Sequence, residues 1–242
     1  MGRADDVDRF YRLLGDLSDR VGGPRRLKDC TGFMDWPDRG VYLFLEPGET
    51  HADTALNRVT RVGTHAVSTG SGTTLWDRLK QHYGTGDGSS AHPHGGNHRG
   101  SVYRLRVGEA LVQRHALHAE YPSWGTRWRG LERERSAVRD EEYPLERRVS
   151  TYLRDQPFLW VDVDDEPGPD SDRAFLERNV IALLSNVGDG LVDARARDWL
   201  GHHSPSHEIR ASGLWNVDHV KASYDPAFLD RFEAAVAETD PL

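Results

Sequence analysis

Gly40-Val41-Tyr42-Leu43-Phe44-Leu45 and Arg58-Val59-Thr60-Arg61-Val62-Gly63 decide how this chain is read. Both are apolar, β-branched stretches, and turn residues such as Pro47-Gly48 lie between them, so they read as the two strands of a hairpin. The polar run Glu46–Asn57 is expected to be the connecting loop, and Thr64–Gly72 a small-residue loop beyond it. Thr73 or Thr74 then suits the N-cap of a helix ending near Tyr83. Arg78 and His82 stand four apart on that helix, and Leu75 and Leu79 turn their face toward the protein.

Outward from this hairpin, Val7, Phe10, Tyr11, Leu14, Leu17 and Val21 recur at helical spacing, predicting a helix over 5–21 stopped at Gly22-Gly23-Pro24. Residues 84–100 form a glycine-rich loop. Ser101–Val107 alternates like a third strand, 109–139 reads as partly helical with a break at Pro122–Gly125, and Leu145–Leu153 as a short helix. Phe158–Val163 predicts a fourth strand. After the turn Asp165–Pro169, Asp170 or Ser171 caps a helix to about Asn186, and Pro226–Ala237 is a last helix. The class is α+β, a small antiparallel or mixed sheet flanked by helices. We divide it into a helical extension (1–38), a core (39–190) with an insertion at 84–145, and a C-terminal extension (191–242).

With 242 residues and a mean hydropathy of −0.69, the chain is long enough for a sizeable core and too polar for a membrane span. The first residues are acidic and carry no apolar signal core, so a cytoplasmic protein is expected. A single cysteine, Cys30, rules out an intramolecular disulfide and a cysteine-rich zinc site. The net charge of −8 argues against a nucleic-acid partner until its distribution is read. Residues 51–140 carry 13 Arg/Lys against 8 Asp/Glu and 8 of the 12 histidines, enough for a basic groove in an acidic protein. Arginine outnumbers lysine 28 to 3, so no single arginine is special for being arginine.

Arg78 and His82 suit holding a phosphate oxygen and moving a proton; their plainer reading is a surface arginine and a histidine near a helix C-terminus. Glu177 precedes Val180, Ile181 and Leu184, which puts a carboxylate beside an apolar face, where it needs a metal or a cationic partner. A hard divalent ion accepts one carboxylate when water and phosphate fill its other positions. Tyr42 suits orienting a water molecule, or simple packing.

In this order the residues resemble the GIY-YIG nuclease domain over roughly 39–186. The resemblance implies a DNA endonuclease using one Mg²⁺ or Mn²⁺. It implies roles for Tyr42 as base or water-orienting group, Gly63 as a close-approach glycine, Arg78 on the phosphate, His82 as the ring residue one turn later, and Glu177 on the metal. Asn216 or Asn186 matches the family's late asparagine, and Asn216 lies beyond the helix as that residue tends to. Arg61 stands where the second-motif tyrosine belongs; it cannot serve as a base but can bind phosphate. Thr64 replaces a basic residue, with His65 adjacent. His98 and Arg99 in the glycine-rich loop, and Arg127 and Arg129 beside Trp124 and Trp128, are candidate nucleic-acid contacts. Zinc on His92, His94 and His98, and a purely structural role for the tryptophans, are the alternatives there. DNA is the expected partner, RNA and a homo-oligomer stay open, and the rival functions are a degenerate binding module and a non-catalytic scaffold.

Overall fold

The computed structural model describes residues 2–51, 54, 56–88, 91–187 and 195–242. The expected boundary at 190/191 lies outside them. Among the described residues, four strands form one antiparallel sheet: β1 (Arg25–Arg26), β2 (Gly40–Thr50), β3 (Asn57–Gly63) and β4 (Pro157–Asp162), in the order β1-β4-β2-β3. Seven α-helices flank it: α1 (Arg3–Val21), α2 (Leu75–Tyr83), α3 (Val102–Arg114), α4 (Arg135–Asp155), α5 (Asp172–Leu184), α6 (His207–Ser212) and α7 (Phe228–Glu238).

The hairpin register sets the site. Tyr42 lies opposite Gly63 and Phe44 opposite Arg61. On the other side of β2 the same residues pair with Trp160 and Phe158. Side chains alternate across a sheet, so these six share one face. Tyr42 and Phe44 meet His82 of α2 edge-on, and Phe44 meets Tyr103 of α3 in the same way. Val41, Leu43, Val62, Leu159 and Val161 belong to the opposite face and are all buried. Helices α1, α5 and α7 pack on the sheet, and α1 buries Phe10, Tyr11, Leu14, Leu17 and Val21 in the same core.

Thr74 is the N-cap of α2: its hydroxyl accepts the Asp77 N–H, and the Asp77 carboxylate accepts the Thr74 N–H in return. Ser171 caps α5, its hydroxyl accepting the Ala174 N–H.

Three expectations are corrected. Ser101–Val107 is not a third strand; Ser101 is the N-cap of α3, accepting the Arg104 N–H. The alternation of Val102, Tyr103, Leu105 and Val107 suggested a strand, but the buried residues Tyr103, Val107 and Ala110 follow helical spacing. The loop at Glu46–Asn57 is shorter than expected, because β2 runs on to Thr50 through irregular pairing beyond Phe44. The helix expected from Leu145 begins at Arg135, with Pro144 inside it.

Candidate active site beside the third strand

The sheet's edge strand, β3, is covered by the segment after α6. Trp215 N–H donates to Thr60 O at 2.7 Å. The Asn216 side chain continues the ladder: Oδ1 accepts the Val62 N–H at 3.1 Å and Nδ2 donates to Val62 O at 2.9 Å. A pocket of about 200 Å³ opens here, lined among others by Arg61, Arg78, Glu177, Asn216, Asp218 and His219. Strand β3, helices α2 and α5 and the 216–219 turn each bring part of it. Of the two asparagines, Asn216 borders this pocket, whereas Asn186 bonds through its N–H to Ser212 O and is not among its walls.

Tyr42 is fully buried, and its hydroxyl lies 2.8 Å from His82 Nε2. His82 Nδ1 lies 2.8 Å from Ser101 Oγ, which already accepts the Arg104 N–H. His82 therefore bridges Tyr42 and Ser101 through its two ring nitrogens. Burial, together with Arg78, Arg61 and Arg104, keeps the His82 pKa well below its ordinary value, so the ring is neutral. Tyr42 lies beside Arg78, and the phenol and Glu177 together raise the arginine's pKa.

Gly63 makes this arrangement possible. A Cβ there would lie 2.2 Å from Tyr42 Oη and 2.3 Å from Cζ, so only glycine leaves room for the ring.

Arg61 is 7% exposed and borders the pocket rather than reaching into solvent. It donates to Trp215 O at 3.3 Å, with its guanidinium carbon 5.8 Å from the Tyr103 ring. Arg78 donates to Gln81 Oε1 at 2.7 Å. Each arginine keeps a buried Nε–H with no hydrogen-bond partner. Such donors are costly to bury, and an anion would satisfy them.

Half-buried Glu177 is the pocket's carboxylate on α5. Burial raises its pKa, while Arg61, His219, the Thr64 N–H and Arg78 act against that rise. Among the described residues no three His, Cys, Asp or Glu side chains are grouped to hold a metal. Half-buried Glu177 beside two arginines, with Asp218 exposed in the same wall, fits a hard divalent ion that takes its other ligands from water and phosphate, and does not fit zinc.

The other expected residues lie elsewhere. His65 is buried, with Nδ1 2.8 Å from Thr73 O and Nε2 accepting the Gly40 N–H at 3.3 Å; it ties β2 to the approach of α2. Burial, with Arg173 and Arg78 nearby, pushes its pKa down to about 4 against the Thr73 hydrogen bond. His98 is buried between Glu146 and Trp124, its Nδ1 2.9 Å from Glu146 Oε1 and its ring stacked 3.8 Å from the indole. Arg99 spends its guanidinium on Glu142, Ser123 O and Thr126 O. Neither His98 nor Arg99 is presented to a partner as expected. Arg127 and Arg129 are exposed. His92 pairs with Asp140, His94 with Asp87 and Arg154, and His98 with Glu146, so the zinc alternative has no common centre.

Sequence reasoning missed Ser101, the Thr64 N–H and His219. Ser101 is of a good N-cap type, but the strand-like alternation after it hid the helix it caps. His219 had no signal; it sits in the left-handed region (φ 64°) and reaches the pocket only through the turn that Asn216 anchors.

A GIY-YIG domain model matches residues 1–242, the whole chain. No curated protein and no solved structure matches it. The chain belongs to the GIY-YIG family, whose members are generally nucleases acting on nucleic acids and typically use divalent metal ions. Among the described residues, no helix is long and apolar enough to cross a membrane.

Proposed function

We propose that this chain is a metal-dependent endonuclease that hydrolyses phosphodiester bonds in DNA at the pocket beside β3. One observation carries the reading: the two arginines lining a pocket with Glu177 each keep a buried, unpartnered Nε–H. A phosphate diester is an acceptor-only anion that matches those donors.

In the reaction, a water oxygen attacks phosphorus while the bond to the leaving oxygen breaks. Tyr42 Oη, held by His82, orients that water, whose oxygen joins phosphorus while its proton leaves through solvent and the departing oxygen takes one up. Arg78 and Arg61 hold the non-bridging oxygens as charge builds on them. Glu177 is the residue that would hold one Mg²⁺ or Mn²⁺; when bound, the ion supplies charge neutralisation at the phosphate. Asn216 and His65 position the strands that carry these groups, and Arg127 and Arg129 contact the DNA backbone away from the cut.

Nicking of supercoiled plasmid with Mg²⁺ or Mn²⁺ tests this. Glu177→Ala and Arg78→Ala are each expected to slow nicking by roughly 10²–10³-fold. Equal rates in wild type and both variants would sink the site. A second reading, a module that binds DNA without cutting, is favoured by Arg61 standing where the family's second tyrosine belongs. Wild type that retains plasmid in a binding assay yet never nicks it would establish that reading instead.

A further inference from the structure

A second pocket, of about 300 Å³, lies against the far end of α2, with Asp77, Lys80, Gln81, Asn97, Gly100 and Arg139 in its wall. It adjoins the first. Gln81 is in its wall, Arg78 is in the wall of the other, and the two side chains are hydrogen-bonded at 2.7 Å. The chain also connects them directly, since Gly100 lines this pocket and Val102, 44% exposed, lines the first.

The wall's free polar groups are almost all donors. The Arg78 guanidinium can only donate, so the Gln81 atom facing it is the carbonyl oxygen, which leaves the Gln81 NH₂ unspent. Asn97 Oδ1 likewise accepts the Arg99 N–H at 3.2 Å, which leaves its NH₂ unspent. Lys80 and Arg139 are exposed and form no ion pair among the described residues. The lone carboxylate, Asp77, is engaged in capping α2, and the Thr74 hydrogen bonds lower its pKa. Two exposed cations and two amide NH₂ groups, beside one carboxylate held at the α2 cap, favour an acceptor-rich anion. Along α2, Gln81 lies about 4.5 Å and Lys80 about 3 Å beyond Arg78.

We infer that this pocket is a subsite for the sugar-phosphate of a nucleotide flanking the scissile phosphate on the same DNA strand. Lys80 and Arg139 pair with its phosphate, the Asn97 and Gln81 amides donate to its oxygens, and Gln81 couples its occupancy to Arg78. The inference rests on the reading of the chain as acting on DNA.

Equilibrium binding to a fluorescent 25-base-pair duplex, followed across salt concentrations, tests it. Losing two phosphate contacts makes the slope of log K against log salt shallower by about 1.8. Lys80→Ala/Arg139→Ala is expected to show that change. Lys221→Ala/Arg231→Ala, which removes two cations engaged elsewhere by Glu208 and Asp172, is expected to show none. Gln81→Glu keeps an acceptor for Arg78 but replaces a donor with negative charge, and is expected to weaken binding about tenfold. An unchanged slope in Lys80→Ala/Arg139→Ala, or an equal change in both double variants, overturns the subsite. If wild type nicks plasmid and the slope still does not move, the subsite alone falls. If wild type neither binds the duplex nor nicks plasmid, both readings fall together.

Discussion

Replacing Gly63 by alanine puts the site and the fold to one test. The added Cβ would stand 2.2 Å from Tyr42 Oη, 2.3 Å from Cζ and 2.7 Å from Cε2. Gly63 is not among the residues with positive φ, so the cost is steric and not conformational. Tyr42 has little room to retreat: it is 0% exposed, with the Phe44 ring 5.7 Å and the His82 ring 5.4 Å away. The overlap is deep enough that the hairpin spreads and the phenol is also displaced, leaving His82 Nε2 unpaired. Overpacking costs about 1–3 kcal/mol and an unsatisfied buried group about 1–3 kcal/mol, so roughly 3–4 kcal/mol is expected in all. With a urea slope of about 2–3 kcal/mol per molar, the midpoint falls by about 1–2 M. A double-mutant cycle with Tyr42→Ala identifies the cause, because Gly63→Ala should then cost under about 1 kcal/mol. Tyr42→Phe should rescue little, since Cζ remains. Equal costs in the wild-type and Tyr42→Ala backgrounds would refute the close-approach explanation.

Three further outcomes follow from the geometry. His65 is neutral in the folded chain down to about pH 4, while its unfolded counterpart takes up a proton near pH 6.5. Its stabilisation is therefore complete above pH 6.5 and declines by about 3 kcal/mol as pH falls toward 4; urea melts of His65→Gln should show a flatter profile over that window. Burial alone would raise the Glu146 pKa, but His98 and Arg104 pull it down to about 2. Glu146→Gln should cost about 3–5 kcal/mol at pH 7 by stranding Arg104, which is 0% exposed, and the wild-type contribution should fade as pH drops through 4.5 toward 2. Asn216→Asp sets a carboxylate oxygen against Val62 O, and should cost about 1–3 kcal/mol in urea melts while slowing nicking.

The hairpin, the Thr74-capped helix and the Glu177 helix were legible because each carries its own local signal of period, cap and turn. The helix α3 was not. Its first turn alternates like a strand, and Arg104 interrupts the apolar face; that arginine is tolerated only because Glu146, 42 residues away in the chain, pairs with it. The expected helix Leu145–Leu153 is the C-terminal part of α4, which runs from Arg135 to Asp155 with Pro144 inside it. At the site, Arg61, Arg78 and Glu177, each on a regular element, line one pocket, while Tyr42 and His82 are fully buried and not among its walls. His98 and Arg99 misled because their exposure depends on Glu146 and Glu142, partners that no local pattern reveals. The same limit hid His219, whose place is set by how one turn lies along β3.

The covering of β3 by Trp215 and Asn216 also bears on how copies of the chain can meet. An open strand edge invites a second molecule to add its own strand, which is the common route to sheet-extended dimers and to aggregation. Here one margin of the sheet is occupied by the chain's own backbone and an asparagine side chain. The opposite margin is only two residues long, and the Asp162 N–H beyond it is taken by Thr239 Oγ1 at 2.9 Å. Among the described residues, then, β3 is not open to strand addition at Thr60 and Val62, and the far margin offers a second copy only a two-residue strand. Asn216 is then a solubility residue as well as part of the pocket wall, and light scattering alongside the urea melts of Asn216→Asp will separate the two roles.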